Sequence, residues 1–145
     1  MHILLVEDNE GDIELTEIAF KKAGTGTVFS VAHDGIEALD LLKQQSTEGD
    51  GAPPDLILLD LNMPRMGGRQ FLEAVKDDLK FRSIPVIVFT SSAAPKDIDD
   101  SYQRHANCYI MKPFNFEKFV MMAQQIEAFW GHLVRLPARA EVAAA

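Results

Sequence analysis

Three short runs, ILLV at 3–6, LILL at 56–59 and IPVIVFT at 84–90, are apolar almost throughout instead of alternating with polar residues. A strand that is apolar at every position has to be covered on both faces, which is the situation of a parallel strand between two layers of helices. Segments of helical spacing fall between these runs. Residues 10–23 put Leu15, Ile18 and Ala19 on one face and stop at Gly24. Asp34 resembles a helix N-cap with Glu37 three residues on, and Ile36, Leu39 and Leu42 make an apolar stripe through residue 43. TVFSVA at 27–32 reads as a more mixed strand, as suits a sheet edge, and polar residues 44–54 read as a loop. Helices are expected over 68–77, 95–105 and 115–132, with CYIM at 108–111 as the fifth strand. Five βα units in succession predict an α/β fold with a doubly wound parallel sheet. There is no internal repeat and no second domain, and the last dozen residues, with Pro137 and AEVAAA, read as a loose tail.

Composition narrows the function classes. A chain of 145 residues suits one domain, and a formal net charge of −8 argues against a nucleic-acid or anionic-membrane surface. Cys108 is the only cysteine, so no intrachain disulfide can form, which fits a reducing compartment. The first strand begins at Ile3, which leaves no room for a signal peptide, and no apolar stretch reaches the ~18 residues of a membrane span. The expectation is a cytoplasmic acidic domain.

In open parallel sheets, ligands bind beyond the carboxyl ends of the strands. Glu7 and Asp8 end the first strand, Asp60 the third, Thr90 the fourth and Lys112 the fifth. One acid after a strand is an ordinary turn former; four strands delivering acids, a hydroxyl and an ammonium to one rim are not. Three carboxylates against one ammonium leave an excess of negative charge, and like charges ~4 Å apart repel by roughly 4 kcal/mol at an effective dielectric of ~20. A divalent cation relieves that repulsion. The hard oxygen donors favour Mg2+, and Thr90 with Lys112 suits a second anion beside it. The site reads as built for a phosphoryl group, with Asp60 as nucleophile.

VEDN (6–9), LDLNMPRMGG (59–68), VFTSS (88–92) and NCYIMKP (107–113) together resemble a two-component response-regulator receiver domain, over residues 2–132. Thr90 lies thirty residues after Asp60 and Lys112 twenty-two after Thr90, which tightens the match. The resemblance implies the flavodoxin-like strand order 2-1-3-4-5. It implies that Asp60 accepts a phosphoryl group from a sensor histidine kinase. Asp8 and Asp60 would bind Mg2+ with the Asn62 backbone carbonyl, Glu7 acting through water. Lys112 and Thr90 would hold phosphoryl oxygens, and Pro113 would follow a cis peptide that aims Lys112 inward. Ser91 would keep the pocket open, Asn62 and Ser92 would tune dephosphorylation, and Thr90 with Tyr109 would form the switch. On this reading the protein is no metabolic enzyme, although it assists its own phosphoryl transfer and autodephosphorylation.

No output domain follows the receiver-like segment, which points to a stand-alone regulator with residues 1–132 as receiver and 133–145 as C-terminal extension and tail. DLNMP, DIDDSYQRHANCYIMKP and FWGHLVRLP are similar to the small receivers that partner bacterial phytochrome histidine kinases. A chemotaxis-type or phosphate-sink receiver is the alternative. A haloacid dehalogenase-type phosphatase fits less well, because it carries a second Asp two positions after its nucleophile and this chain has Asn62. In the last helix Phe119, Met122 and Ile126 are expected to face the sheet. Phe129, Trp130, Leu133 and Val134 would be exposed on a monomer and are read as dimer contacts extending a helix-four, strand-five, helix-five face. The four histidines are scattered and read as surface or cap residues, and Cys108 as buried and inert.

Overall fold

The structure is a computed structural model that describes residues 1–47 and 52–137. Strands and helices alternate: β1 (His2–Val6), α1 (Glu10–Lys22), β2 (Val28–Ala32), α2 (Gly35–Thr47), β3 (Leu56–Leu59), α3 (Gly68–Asp77), β4 (Val86–Thr90), α4 (Pro95–Gln103), β5 (Cys108–Met111) and α5 (Phe116–Ile126). The sheet order is β2-β1-β3-β4-β5, all parallel. The sheet is doubly wound, as the pattern of apolar runs predicts, and its flavodoxin-like order is the one the receiver resemblance implies.

Alternate strand residues feed two cores. Leu4, Val6, Ile57, Leu59, Val86 and Val88 meet Ala38, Leu42, Phe71 and Val75 of α2 and α3. Ile3, Leu5, Leu56, Leu58, Ile87 and Phe89 meet Ile13, Phe20, Phe119 and Ile126 of α1 and α5. Both faces are therefore covered, which is why these strands are apolar between their end residues. β2, at the edge, is only partly buried.

Several helix readings need correction. On α1 the inward residues are Ile13, Thr16, Ala19 and Phe20, while Ile18 is exposed. Thr16 tolerates burial because its hydroxyl donates to Asp12 O at 2.7 Å. On α2 Ala38 and Leu42 point inward and Ile36 outward. Asp34 does cap that helix, its Oδ1 accepting from the Glu37 N–H at 2.9 Å, but α2 runs on to Thr47, into the expected loop. Residues 48–51 of that loop and 138–145 of the tail lie outside the described residues. β4 starts at Val86, after Pro85, which has no N–H to give the ladder. α4 stops at Gln103 because His105 adopts φ 72°, the left-handed conformation that ends a helix. The last helix is α-helical only to Ile126 and continues as a π-helix over Glu127–Leu133, closing with a Val134 N–H to Phe129 O bond of 2.9 Å. Among the described residues there is no cis peptide, so the cis bond expected before Pro113 is absent.

The ladder continues past the strand ends. The Glu7 N–H bonds Ala32 O at 2.9 Å, Asp60 N–H bonds Val6 O at 3.0 Å, and Lys112 N–H bonds Thr90 O at 2.8 Å. These bonds set Glu7, Asp60, Thr90 and Lys112 side by side along one rim.

Candidate functional site

The first residues after β1 and β3 leave the hydrophobic layer but not the interior: Glu7 is 2% exposed and Asp60 7%. Asp8 is exposed, and one carboxylate oxygen from each of Glu7, Asp8 and Asp60 lies within 4.8 Å of the others. Lys112 reaches across from β5. Its Nζ donates to Glu7 Oε2 at 2.7 Å, to Asp12 Oδ2 at 2.8 Å and to Asp60 Oδ2 at 3.4 Å. Lys112 thus points inward without the expected cis peptide, drawn by these carboxylates.

The electrostatics follow from that crowding. Burial pushes the Glu7 carboxyl up to about 7; the Lys112 hydrogen bond pulls it down and the Asp60 charge pushes it up again. Burial would lower the Lys112 ammonium, but hydrogen bonds to Asp12 and Glu7, with the charges of Asp60 and Glu7, outweigh it and hold it above its ordinary value. Four carboxylates face one ammonium, so the charge excess exceeds the one expected from Glu7, Asp8 and Asp60.

Thr90 ends β4, fully buried, and its Oγ1 has no hydrogen-bond partner. A buried hydroxyl without a partner is costly and rare. Beside an acidic cluster and an ammonium, it is a donor suited to an incoming anion. The hard oxygen donors, all within 4.8 Å of one another, fit a divalent cation, and Thr90 with Lys112 fits the oxygens of a phosphoryl group.

The loops around the rim are held from outside. Asn62 is exposed and its N–H donates to Asp60 Oδ1 at 3.4 Å. Arg65, with φ 59°, pairs through Nε with Asp34 Oδ2 at 2.6 Å, tying the loop after β3 to the start of α2. Ser91 is exposed. Ser92 Oγ donates to Asp97 Oδ2 at 2.6 Å and accepts from the Ala94 N–H at 3.2 Å, so its hydroxyl is engaged at the head of α4. Asp97 also pairs with Arg69 of α3. Tyr109 is half-buried against the α2–α3 core, and its hydroxyl donates to Ser92 O at 2.8 Å.

Glu7, Asp8, Asp60, Asn62, Thr90 and Lys112 are therefore brought to one rim, with Ser92 and Tyr109 linked to each other beside it. Asp12 was missed by the sequence reading, which followed strand ends and not the first turn of the helix after them. The spacing in VEDNEGD carried the signal: Asn9 Oδ1 caps α1 by accepting from the Asp12 N–H at 2.9 Å, which puts Asp12 in that turn. Phe129 and Leu133 are exposed as expected, whereas Trp130 and Val134 are half-buried. Cys108 is half-buried, and burial raises its thiol pKa, which fits an inert residue.

Residues 3–124 match the family model described as the response regulator receiver domain. The response regulator Rcp1 of Synechocystis sp. is 39% identical over 136 residues, covering 94% of this chain and 92% of its own length. The crystal structure of the phosphorylated cyanobacterial phytochrome response regulator RcpA superposes with a TM-score of 0.85 at 39% identity, covering 94% of this chain and 98% of its own. The Mn2+-bound form of Rcp1 superposes at 0.82, with 39% identity over 94% of this chain and 99% of its own.

Proposed function

Because the chain belongs to the response regulator receiver family, we propose that Asp60 accepts its phosphoryl group from a phosphohistidine of a sensor histidine kinase, and that this kinase is a bacterial phytochrome. The observation that carries this reading is the convergence on Asp60: oxygens of Glu7 and Asp8 within 4.8 Å, the Lys112 ammonium 3.4 Å away, and a buried Thr90 hydroxyl with no partner. The phytochrome assignment is supported by the 39% identity to the cyanobacterial phytochrome response regulator RcpA.

In the transfer a carboxylate oxygen of Asp60 attacks phosphorus, the P–N bond to the kinase imidazole breaks, and an acyl phosphate forms. Lys112 and Thr90 hold the phosphoryl oxygens. Mg2+ would be held by Asp8, Asp60 and the Asn62 carbonyl, and when bound it neutralises charge shared by the carboxylates and the phosphoryl group. Glu7 acts through water, which is supported by the engagement of both its oxygens, one by the Asn9 N–H at 3.1 Å and one by Lys112. Asn62 and Ser92 tune attack by water in autodephosphorylation. A phosphoryl oxygen gives Thr90 a partner, which draws the loop after β4 inward and shifts Tyr109, whose hydroxyl that loop already binds. The face of α4, β5 and α5 reads out the change.

That face also forms a homodimer, with residues 133–145 as its extension. Phe129 is 47% and Leu133 73% exposed, and Phe129 packs edge-on against Trp130 at 5.2 Å beside an apolar groove of about 880 Å³ lined by Ile110, Met121 and Ile126. Sedimentation of wild type and a Phe129→Ala, Trp130→Ala protein tests this: the variant is expected to be monomeric, and an unchanged dimer overturns it.

The function is tested by phosphotransfer from a bacterial phytochrome kinase first labelled with radioactive ATP. Label is expected to move to the wild-type protein in seconds to minutes and not to Asp60→Asn. Equal or faster transfer from a chemotaxis kinase would overturn the phytochrome assignment, and label on Asp60→Asn would overturn the choice of acceptor.

A further inference from the structure

Lys112 is held by three carboxylates of unequal standing. Glu7 and Asp60 sit in the acidic cluster that suits a cation; Asp12 does not. Yet the Asp12 Oδ2 contact, at 2.8 Å, is shorter than the 3.4 Å contact to Asp60. The side chain of Lys112 is 10% exposed and that of Asp12 34%, so the lysine depends on its partners for solvation more than the aspartate does.

The position of Asp12 is itself fixed. The Asn9 N–H donates to Glu7 Oε1 at 3.1 Å, and Asn9 Oδ1 accepts from the Asp12 N–H at 2.9 Å. One turn of chain therefore ties both short-bond partners of Lys112 to the same cap. Asp12 also places a negative charge in the first turn of α1, where the positive end of the helix would otherwise repel the ammonium.

An ammonium carries three N–H groups. Glu7 and Asp12 take the two short bonds, and the remaining contact is the 3.4 Å one to Asp60. We infer that Asp12 is a positioning residue for phosphorylation, holding Lys112 so that its remaining N–H faces Asp60 and the phosphoryl oxygen arriving there. The inference rests on the receiver reading and adds a residue to it.

Charge alone makes the opposite prediction. Removing one negative group from an acidic site favours an anionic phosphodonor, so a purely electrostatic role would lower the half-saturating donor concentration in any neutral variant. A positioning role acts on the rate at saturating donor and is rescued by a neutral side chain that can still accept the lysine's hydrogen bond.

The test measures acetyl phosphate-dependent phosphorylation over a range of donor and Mg2+ concentrations in wild type, Asp12→Ala and Asp12→Asn, with a melting curve for each. Asp12→Ala is expected to lower the saturated rate roughly tenfold, as loss of a charge-assisted hydrogen bond would. Asp12→Asn is expected to stay within about threefold of wild type, and the Mg2+ dependence to be the same in all three. In a Lys112→Met background, Asp12→Ala should have no further effect. Wild-type rates in Asp12→Ala, equal slowing in both variants, or a shifted Mg2+ requirement overturns the inference while leaving the receiver reading intact. Should Asp12→Ala fail to fold, Asp12→Asn decides: slowing as large as tenfold overturns the inference, and a near-wild-type rate supports it. A wild-type protein that gains no phosphoryl group overturns both.

Discussion

Lys112 Nζ lies 2.7 Å from Glu7 Oε2, a bond that joins the end of the edge strand β5 to the end of β1 across 105 residues of sequence. β3 and β4 lie between those strands, so the lysine spans the rim over the ends of both. Glu7 is almost wholly buried, and burial raises its carboxyl to about 7 although that ammonium and the Asn9 N–H both favour the ionised form.

The pH dependence of stability follows. The Glu7 carboxyl is raised from 4.5 to about 7 in the folded protein. Its contribution is fully present below pH 4.5, where both states are protonated. It declines as pH rises and is lost above about 7, because the folded state alone still holds the proton in between. In chelator, Glu7→Gln removes this decline and is expected to be more stable than wild type at pH 8 by on the order of 2 kcal/mol. Denaturant melts from pH 5 to 8 check it; parallel curves for the two proteins would contradict it.

Thr90→Val tests the unpartnered hydroxyl. The methyl replaces a buried Oγ1 that bonds nothing, so the variant is expected to keep or gain stability, by up to about 1 kcal/mol. It should still be phosphorylated but fail to shift Tyr109, as followed by tyrosine NMR signals. A loss of more than about 1 kcal/mol would mean that the hydroxyl is bonded in solution.

The two glycines of RMGG are predicted to differ. A Cβ at Gly68 would stand 2.3 Å from Asp60 O and 2.6 Å from Leu61 Cα, both backbone, so the acceptor loop would have to move. At Gly67 its nearest neighbour would be Leu61 O at 3.7 Å, an ordinary contact. Gly68→Ala is expected to cost about 1–3 kcal/mol and to slow phosphorylation, and Gly67→Ala to change stability by less than about 0.5 kcal/mol. Chemical denaturation of both checks it, and equal effects would contradict it.

That difference marks the limit of what the sequence makes legible. The unbroken apolar runs LILL and VIVF declare strands covered on both sides, and the strand-end acids, Thr90 and Lys112 declare the rim, because a strand end has one place to be. Helix faces are harder to read. α1 carries Leu15 and Ile18 as well as Ile13 and Phe20, and that Ile13 and Phe20 are buried, Leu15 partly so and Ile18 exposed depends on packing against α5 and on Thr16 satisfying its own hydroxyl within the helix. The role of Asp12 depends on where the Asn9 cap starts the helix, and the inward aim of Lys112 on three partners, one after β1, one in α1 and one after β3. The π-helical end depends on a bond from Val134 back to Phe129 that no periodicity announces.

The central claim is that Asp60 takes up a phosphoryl group in a cup organised by a divalent cation. Intact mass after incubation with acetyl phosphate, in Mg2+ or in chelator, tests it most directly on wild type and Asp60→Asn. The predicted result is a gain of one phosphoryl group by the wild type in Mg2+ and by neither protein in the other conditions. An unchanged wild-type mass in Mg2+, or the same gain in Asp60→Asn, would contradict the account.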